Sequence, residues 1–155
     1  MSTIKKAFLL TVALVMPTIA FAQSSIQPGL WETTTKPYDI VLPNVPPQFA
    51  LKVRNSGKTT VFRQCVTPTQ AKLGPQVIWQ DNPGSPCRST HLDGNSNQVH
   101  GIATCTNSDG TKSKFNFTAT FANDTSFTLD GTMQVPGSGV NMKVSGSGKR
   151  IGACE

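Results

Sequence analysis

The chain has 155 residues and a formal net charge of +6, two of whose positive groups are Lys5 and Lys6 near the N-terminus. The length suits one domain, and so mild a basic balance calls for no nucleic-acid partner; it reads as ordinary solubilising charge. The hydrophobic set is only 37% of the chain, so covalent staples are expected to support a modest core.

The first segment reads as a targeting signal. Lys5 and Lys6 precede the apolar run Ala7–Met16, Pro17 breaks it, and Ala20-Phe21-Ala22 supplies small residues at a signal-peptidase site. The run is shorter than the ~20 residues of a spanning helix. We expect residues 1–22 to be a cleaved signal peptide and residues 23–155 to form a single domain in the periplasm or outside the cell.

The next stretch, "QPGLWETTT", turns at Pro28-Gly29 and begins a strand at Leu30-Trp31. Adjacent strand residues face opposite sides, so only one of this pair can enter the main core. Trp31 is either a core anchor or a cavity wall; the expectation is the anchor. Pro37, Pro43, Pro46 and Pro47 follow between Lys36 and Gln48. That density argues against a central strand and suggests a loop or an irregular edge. Lys58–Val66 reads as another strand. Thr67 then serves as N-cap of one short helix, with Pro68 at its first position and Gln70 completing a capping box; Gly74-Pro75 ends it.

Four cysteines remain after the signal: Cys65, Cys87, Cys105 and Cys154. In an exported domain they read as two disulfides. Of the possible connectivities we expect the nested one, Cys87–Cys105 inside Cys65–Cys154. No Cys/His spacing suits zinc, and neither a metal nor a cofactor is expected. Between Cys87 and Cys105 two strands flank an Asp93-Gly94-Asn95 turn. A regular register from the cysteines sets His91 opposite Gly101 and Leu92 opposite His100, sending the two histidines to opposite faces.

From Lys112 onward the pattern is period two. Phe115, Phe117, Ala119 and Phe121 alternate with polar residues, as do Phe127, Leu129, Met133 and Val135, and then Val140, Met142 and Val144. "AND" and "PGSG" connect these strands as turns. The result is an antiparallel meander with one dry and one wet face.

Chemistry is sparse. Ser89, His91 and Asp93 lie along one strand, which has the wrong reach for a catalytic triad. Glu32 and Glu155 are the two glutamates, and no opposed carboxylate pair for glycoside hydrolysis emerges. "GSGKR" lacks the upstream glycine and the Ser/Thr of a phosphate loop. No catalytic residue is assigned and no enzymatic activity is expected.

Four features in order resemble a known set: the PGLWE start, "CVTPTQA", a midchain cysteine pair, and the closing "SGSGKRIGACE". Together they resemble the bacterial exported family called domain of unknown function 3617. The resemblance implies an exported, disulfide-bonded domain and brings no activity with it. The Pro-rich Lys36–Gln48 segment departs from the pattern. Gly29-Leu30-Trp31, with Arg150 late in the chain, is also similar to the G-x-W start of lipocalin-like and avidin-like barrels. That resemblance implies a latch of Gly29, Trp31 and Arg150, the basic group stacked over the indole.

The expected fold is all-β: an antiparallel meander forming a curved sheet or partly closed barrel of about seven or eight strands, with one short helix after Cys65. Phe115, Phe117, Phe121, Phe127, Leu129 and Met133 are then either core or ligand-facing. Two functions fit. One is a non-enzymatic module binding a small apolar ligand inside the curved sheet. The other is an envelope-surface protein that meets an anionic envelope component with the Pro-rich loop and Lys52, Arg54, Lys58, Lys112 and Lys114.

Overall fold

The alternating segments of the sequence assemble into one antiparallel sheet, seen in a computed structural model that describes residues 26–48, 51, 57–80, 85–106 and 109–154. The proposed signal segment lies outside the described residues. The strands are β1 (Gly29–Val41), β2 (Thr60–Val66), β3 (Cys87–Gly94), β4 (Gln98–Thr106), β5 (Lys112–Asn123), β6 (Ser126–Val135) and β7 (Val140–Gly152). Their order is β2-β1-β7-β6-β5-β4-β3, and the sheet curls into a half-barrel. The all-β meander and its short helix stand as the alternation and the capping box implied.

β1 pairs with β7, so the first strand lies against the last, Trp31 opposite Arg150. The barrel is open between its edge strands, β2 and β3. The connection between those edges fills the opening. It comprises helix α1 (Pro68–Ala71) and a 3-10 turn, Pro75–Trp79. The Thr67–Gln70 capping box is complete in both directions. The 3-10 turn was missed in the sequence. Pro75 restarts the chain after Gly74, and Val77 and Ile78 are 2% and 1% exposed. Each such side chain contributes about 2 kcal/mol by leaving water, which holds this plug against the sheet.

One sequence expectation is refined, the irregular edge at the prolines, and one changes. β1 does not stop at the prolines but runs through Pro37 to Val41. Beyond Thr35 its described strand partner is β7, with a bulge between Tyr38 and Val41. Pro37 thus sits on a one-sided stretch, where a missing N–H removes no bond on the other side. Second, the β3–β4 register is not regular. Cys87 pairs with Cys105, but a bulge between Ser89 and His91 sets His91 opposite Ile102, Leu92 opposite Gly101 and Asp93 opposite His100. The added residue sends Leu92 inward, where it packs on the core, and turns both histidines outward. Burying a leucine rather than a histidine is the physical reason.

Glycines on the concave face make room for rings from neighbouring strands. A Cβ on Gly148 would lie 2.0 Å from the Phe127 ring, and one on Gly101 would lie 2.2 Å from that of Phe117. Each is the registered cross-strand partner of that phenylalanine. The rings lie flat across the glycines, and the sheet closes tightly around them.

Candidate ligand pocket

The concave face has a packed end and an open end. The packed end centres on Trp31, 1% exposed. Its ring stacks on Phe127 at 6.1 Å and meets Phe121 edge-on at 6.5 Å. The indole Nε1 donates to the Gln27 carbonyl, 3.0 Å away. Arg150 donates from Nε to the Pro28 carbonyl at 2.7 Å. A Cβ on Gly29 would fall 2.6 Å from that same Nε, so the guanidinium passes directly over the glycine. Gly29, Trp31 and Arg150 thus meet where β1 joins β7, and the Arg150 contact seen is with backbone. The Cys65–Cys154 disulfide ties the end of β2 to the tail after β7, on either side of Leu30.

At the opposite end of the strands the interior is not filled. A partly open cavity of about 310 Å³ lies between the sheet and the plug. Its wall is made of Phe62, Ile78, Trp79, Phe115, Leu129 and Met133, with Phe117 and Val144 among the other apolar neighbours. Hydroxyl residues, Thr35, Thr60, Ser85, Ser89 and Thr106, supply its polar groups. The Cys87–Cys105 disulfide lies in the wall and fastens β3 to β4 there.

The plug is tied to both edges of the sheet. From β2, Gln64 Nε2 donates to the carbonyls of Val77 and Gln80 at 3.1 and 3.2 Å. From β3, Ser89 Oγ donates to the Trp79 carbonyl at 2.9 Å. These bonds fix Trp79, whose ring centroid lies 5.2 Å from that of Phe117 and 5.0 Å from that of Phe127. Trp79 is therefore the tryptophan of the pocket wall, and Trp31 belongs to the packed end.

The six core-or-ligand residues divide between the two ends. Phe115, Phe117, Leu129 and Met133 line the cavity; Phe121 and Phe127 pack around Trp31. The sequence reading missed Phe62, Ile78 and Trp79. The signal available for the last two was the apolar triplet Val77-Ile78-Trp79 directly after a Gly-Pro break.

The bulge in β3 separates the residues of the rejected triad. Ser89 faces the plug, whereas His91 and Asp93 lie in a shallow outer groove with His100 and Asp130. His91 Nε2 is 3.7 Å from Asp93 Oδ2. His100 contacts Thr118 Oγ1 through Nδ1 and Gln98 Oε1 through Nε2, at 3.0 and 3.1 Å. Among the described residues no group of three or more His, Cys, Asp or Glu is placed to hold a metal. Hydrogen bonds from Thr111 hold the Asp109 carboxyl below its ordinary value, and the Asp39 carboxylate raises Lys143. Both groups are exposed, and neither lines the cavity.

Of the basic residues considered for an anionic surface, Lys52 and Arg54 lie outside the described residues. Lys58, Lys112 and Lys114 are exposed. No described helix is long and apolar enough to cross a membrane. A comparison with curated proteins finds no match. The family model for the protein of unknown function DUF3617 matches residues 26–154. That span takes in the sheet, the plug and both disulfides, and the chain belongs to the DUF3617 family.

Proposed function

We propose that this chain is an exported, non-enzymatic binding module that holds a small apolar ligand in the open end of its half-barrel. The observation that carries this reading is the apolar cavity of about 310 Å³, a volume near the lower bound for small-molecule sites. A packed core would leave few voids larger than a water molecule. Four residues of the alternating dry face, Phe115, Phe117, Leu129 and Met133, form part of its wall. Two disulfides suit an oxidising compartment, which supports export.

Native mass spectrometry of the processed protein, made in its own host, tests the reading. A bound small mass that a lipid-binding dye displaces is the expected result. A clean unliganded mass, with no dye bound, would refute it.

A further inference from the structure

We propose that the outer face of the half-barrel, at its open end, docks on an anionic lipid bilayer. The proposal does not require the cavity to be occupied. It rests on the side chains that the strand register brings to one rim.

The register sets Arg88, Thr104, Lys114, Gln134, Asn141 and Val41 in one row across β3, β4, β5, β6, β7 and β1. Members of this row alternate along their strands with residues of the cavity wall: Lys114 precedes Phe115, and Gln134 follows Met133. The row therefore points outward. Lys112 lies two residues before Lys114, on the same face and nearer the rim. The neighbouring outer row sets Tyr38 opposite Lys143. Arg88, Lys112 and Lys114 are exposed and have no ion-pair partner among the described residues, whereas Lys143 is paired with Asp39 at 2.8 Å. No carboxylate belongs to the rim row. Two rows further in the balance reverses, with Asp93 and Asp130 against Lys36. Basic charge on this face is thus gathered at the open end.

The second ground is apolar exposure beside those cations. Tyr38 is 45% exposed and Val41 50%. Of the seven large apolar side chains exposed among the described residues, four (Tyr38, Val41, Val45 and Leu51) belong to the end of β1 and the connection that leaves it. This segment reaches the turn between β6 and β7, where a Cβ on Gly139 would fall 2.8 Å from Pro43 Cγ. A soluble polyanion would use the cations and leave the tyrosine and valine in water. A bilayer surface uses both, because anionic headgroups lie directly over hydrocarbon, and tyrosine suits that boundary.

The test is co-sedimentation of the processed, oxidised protein with large vesicles of phosphatidylcholine alone or mixed with phosphatidylglycerol. Binding to the mixed vesicles at about 0.05 M salt, and release at about 0.5 M, is expected. The triple variant Arg88→Gln, Lys112→Gln, Lys114→Gln should bind roughly a hundredfold more weakly, each cation contributing about fivefold. Tyr38→Ser with Val41→Ser should weaken vesicle binding about tenfold and leave binding to heparin, a soluble polyanion, unchanged. Lys149→Gln, an exposed change at the packed end, should leave vesicle binding unaltered. All these side chains are exposed, and thermal unfolding checks that each variant is folded. No binding to the mixed vesicles would overturn the proposal. A loss in Lys149→Gln equal to that of a single rim variant would overturn its placement at the open end. Full vesicle affinity in the Tyr38/Val41 variant would overturn the bilayer in favour of a soluble polyanion. Dye binding measured without vesicles reads the cavity alone, so its failure would refute the pocket reading and leave this proposal standing.

Discussion

Replacing Trp31 with alanine separates the packed end of the barrel from the open end. Trp31 is 1% exposed and contacts Phe121 and Phe127 through its ring. Truncating an aromatic in such a site costs about 3–5 kcal/mol, because the cavity left behind only partly collapses. The Gln27 carbonyl also loses the indole donor, worth about 1 kcal/mol. For a domain of this size each kcal/mol lowers Tm by about 4 °C, so the combined loss of about 4–6 kcal/mol predicts a fall of roughly 16–24 °C. The assay is thermal unfolding followed by circular dichroism, with both disulfides intact. Lipid-dye affinity is then measured well below the mutant's Tm. The cavity lining does not include Trp31, so folded Trp31→Ala should bind dye as the unmodified protein does. Trp79→Ala should show the reverse emphasis, losing dye affinity out of proportion to stability. An unchanged Tm in Trp31→Ala would refute its role as anchor. Loss of dye binding in the folded mutant would refute the separation of the two ends.

Three further outcomes are expected. Gly148→Ala should destabilise by about 1–3 kcal/mol, because its Cβ would collide with the Phe127 ring at 2.0 Å. Gly137→Ala meets nothing within 4 Å and has only its φ of +79° to oppose it, so about 1 kcal/mol is expected; equal denaturant midpoints for the two would refute the ring-over-glycine account. Removing the Cys65–Cys154 bridge, which spans 89 residues, should cost more than removing Cys87–Cys105, which spans 18. The chain-entropy values are about 4.6 and 3.2 kcal/mol, to be compared by urea unfolding of the paired Cys→Ala variants. Asp109 should titrate below the ordinary aspartate value, as read from the Thr111 amide by NMR, since Thr111 donates to the charged carboxylate. With the folded value depressed, this contribution is present above the unfolded value and lost as pH falls through the folded one; Thr111→Val, which removes the hydroxyl donor, should bring the midpoint back up.

Much of the fold was legible because strand alternation is local. Phe115, Phe117, Ala119 and Phe121 share a face for the same reason that any residues two apart in a strand do. The helix start at Thr67 was legible too, because a capping box involves residues three apart. The family set, from PGLWE to the closing Gly-x-Cys, is likewise a matter of order along the chain.

The tertiary structure decided what depends on closure. Which residues of the dry face pack and which border a cavity turns on whether the sheet has space above it, and that space is set by the plug. Phe121 and Phe127 meet Trp31, whereas Phe115 and Met133 reach the unfilled end. The sequence pattern of the four is the same. The plug's 3-10 turn is short and gains its stability from burial against distant strands, so no local periodicity announces it. One bulge in β3 reversed the placement of His91 and Leu92, because inserting a single residue exchanges the faces of every residue beyond it. The sequence by itself determined the strands, the cysteines and their order. Only the folded sheet determined that Trp31 anchors one end and Trp79 walls the cavity at the other.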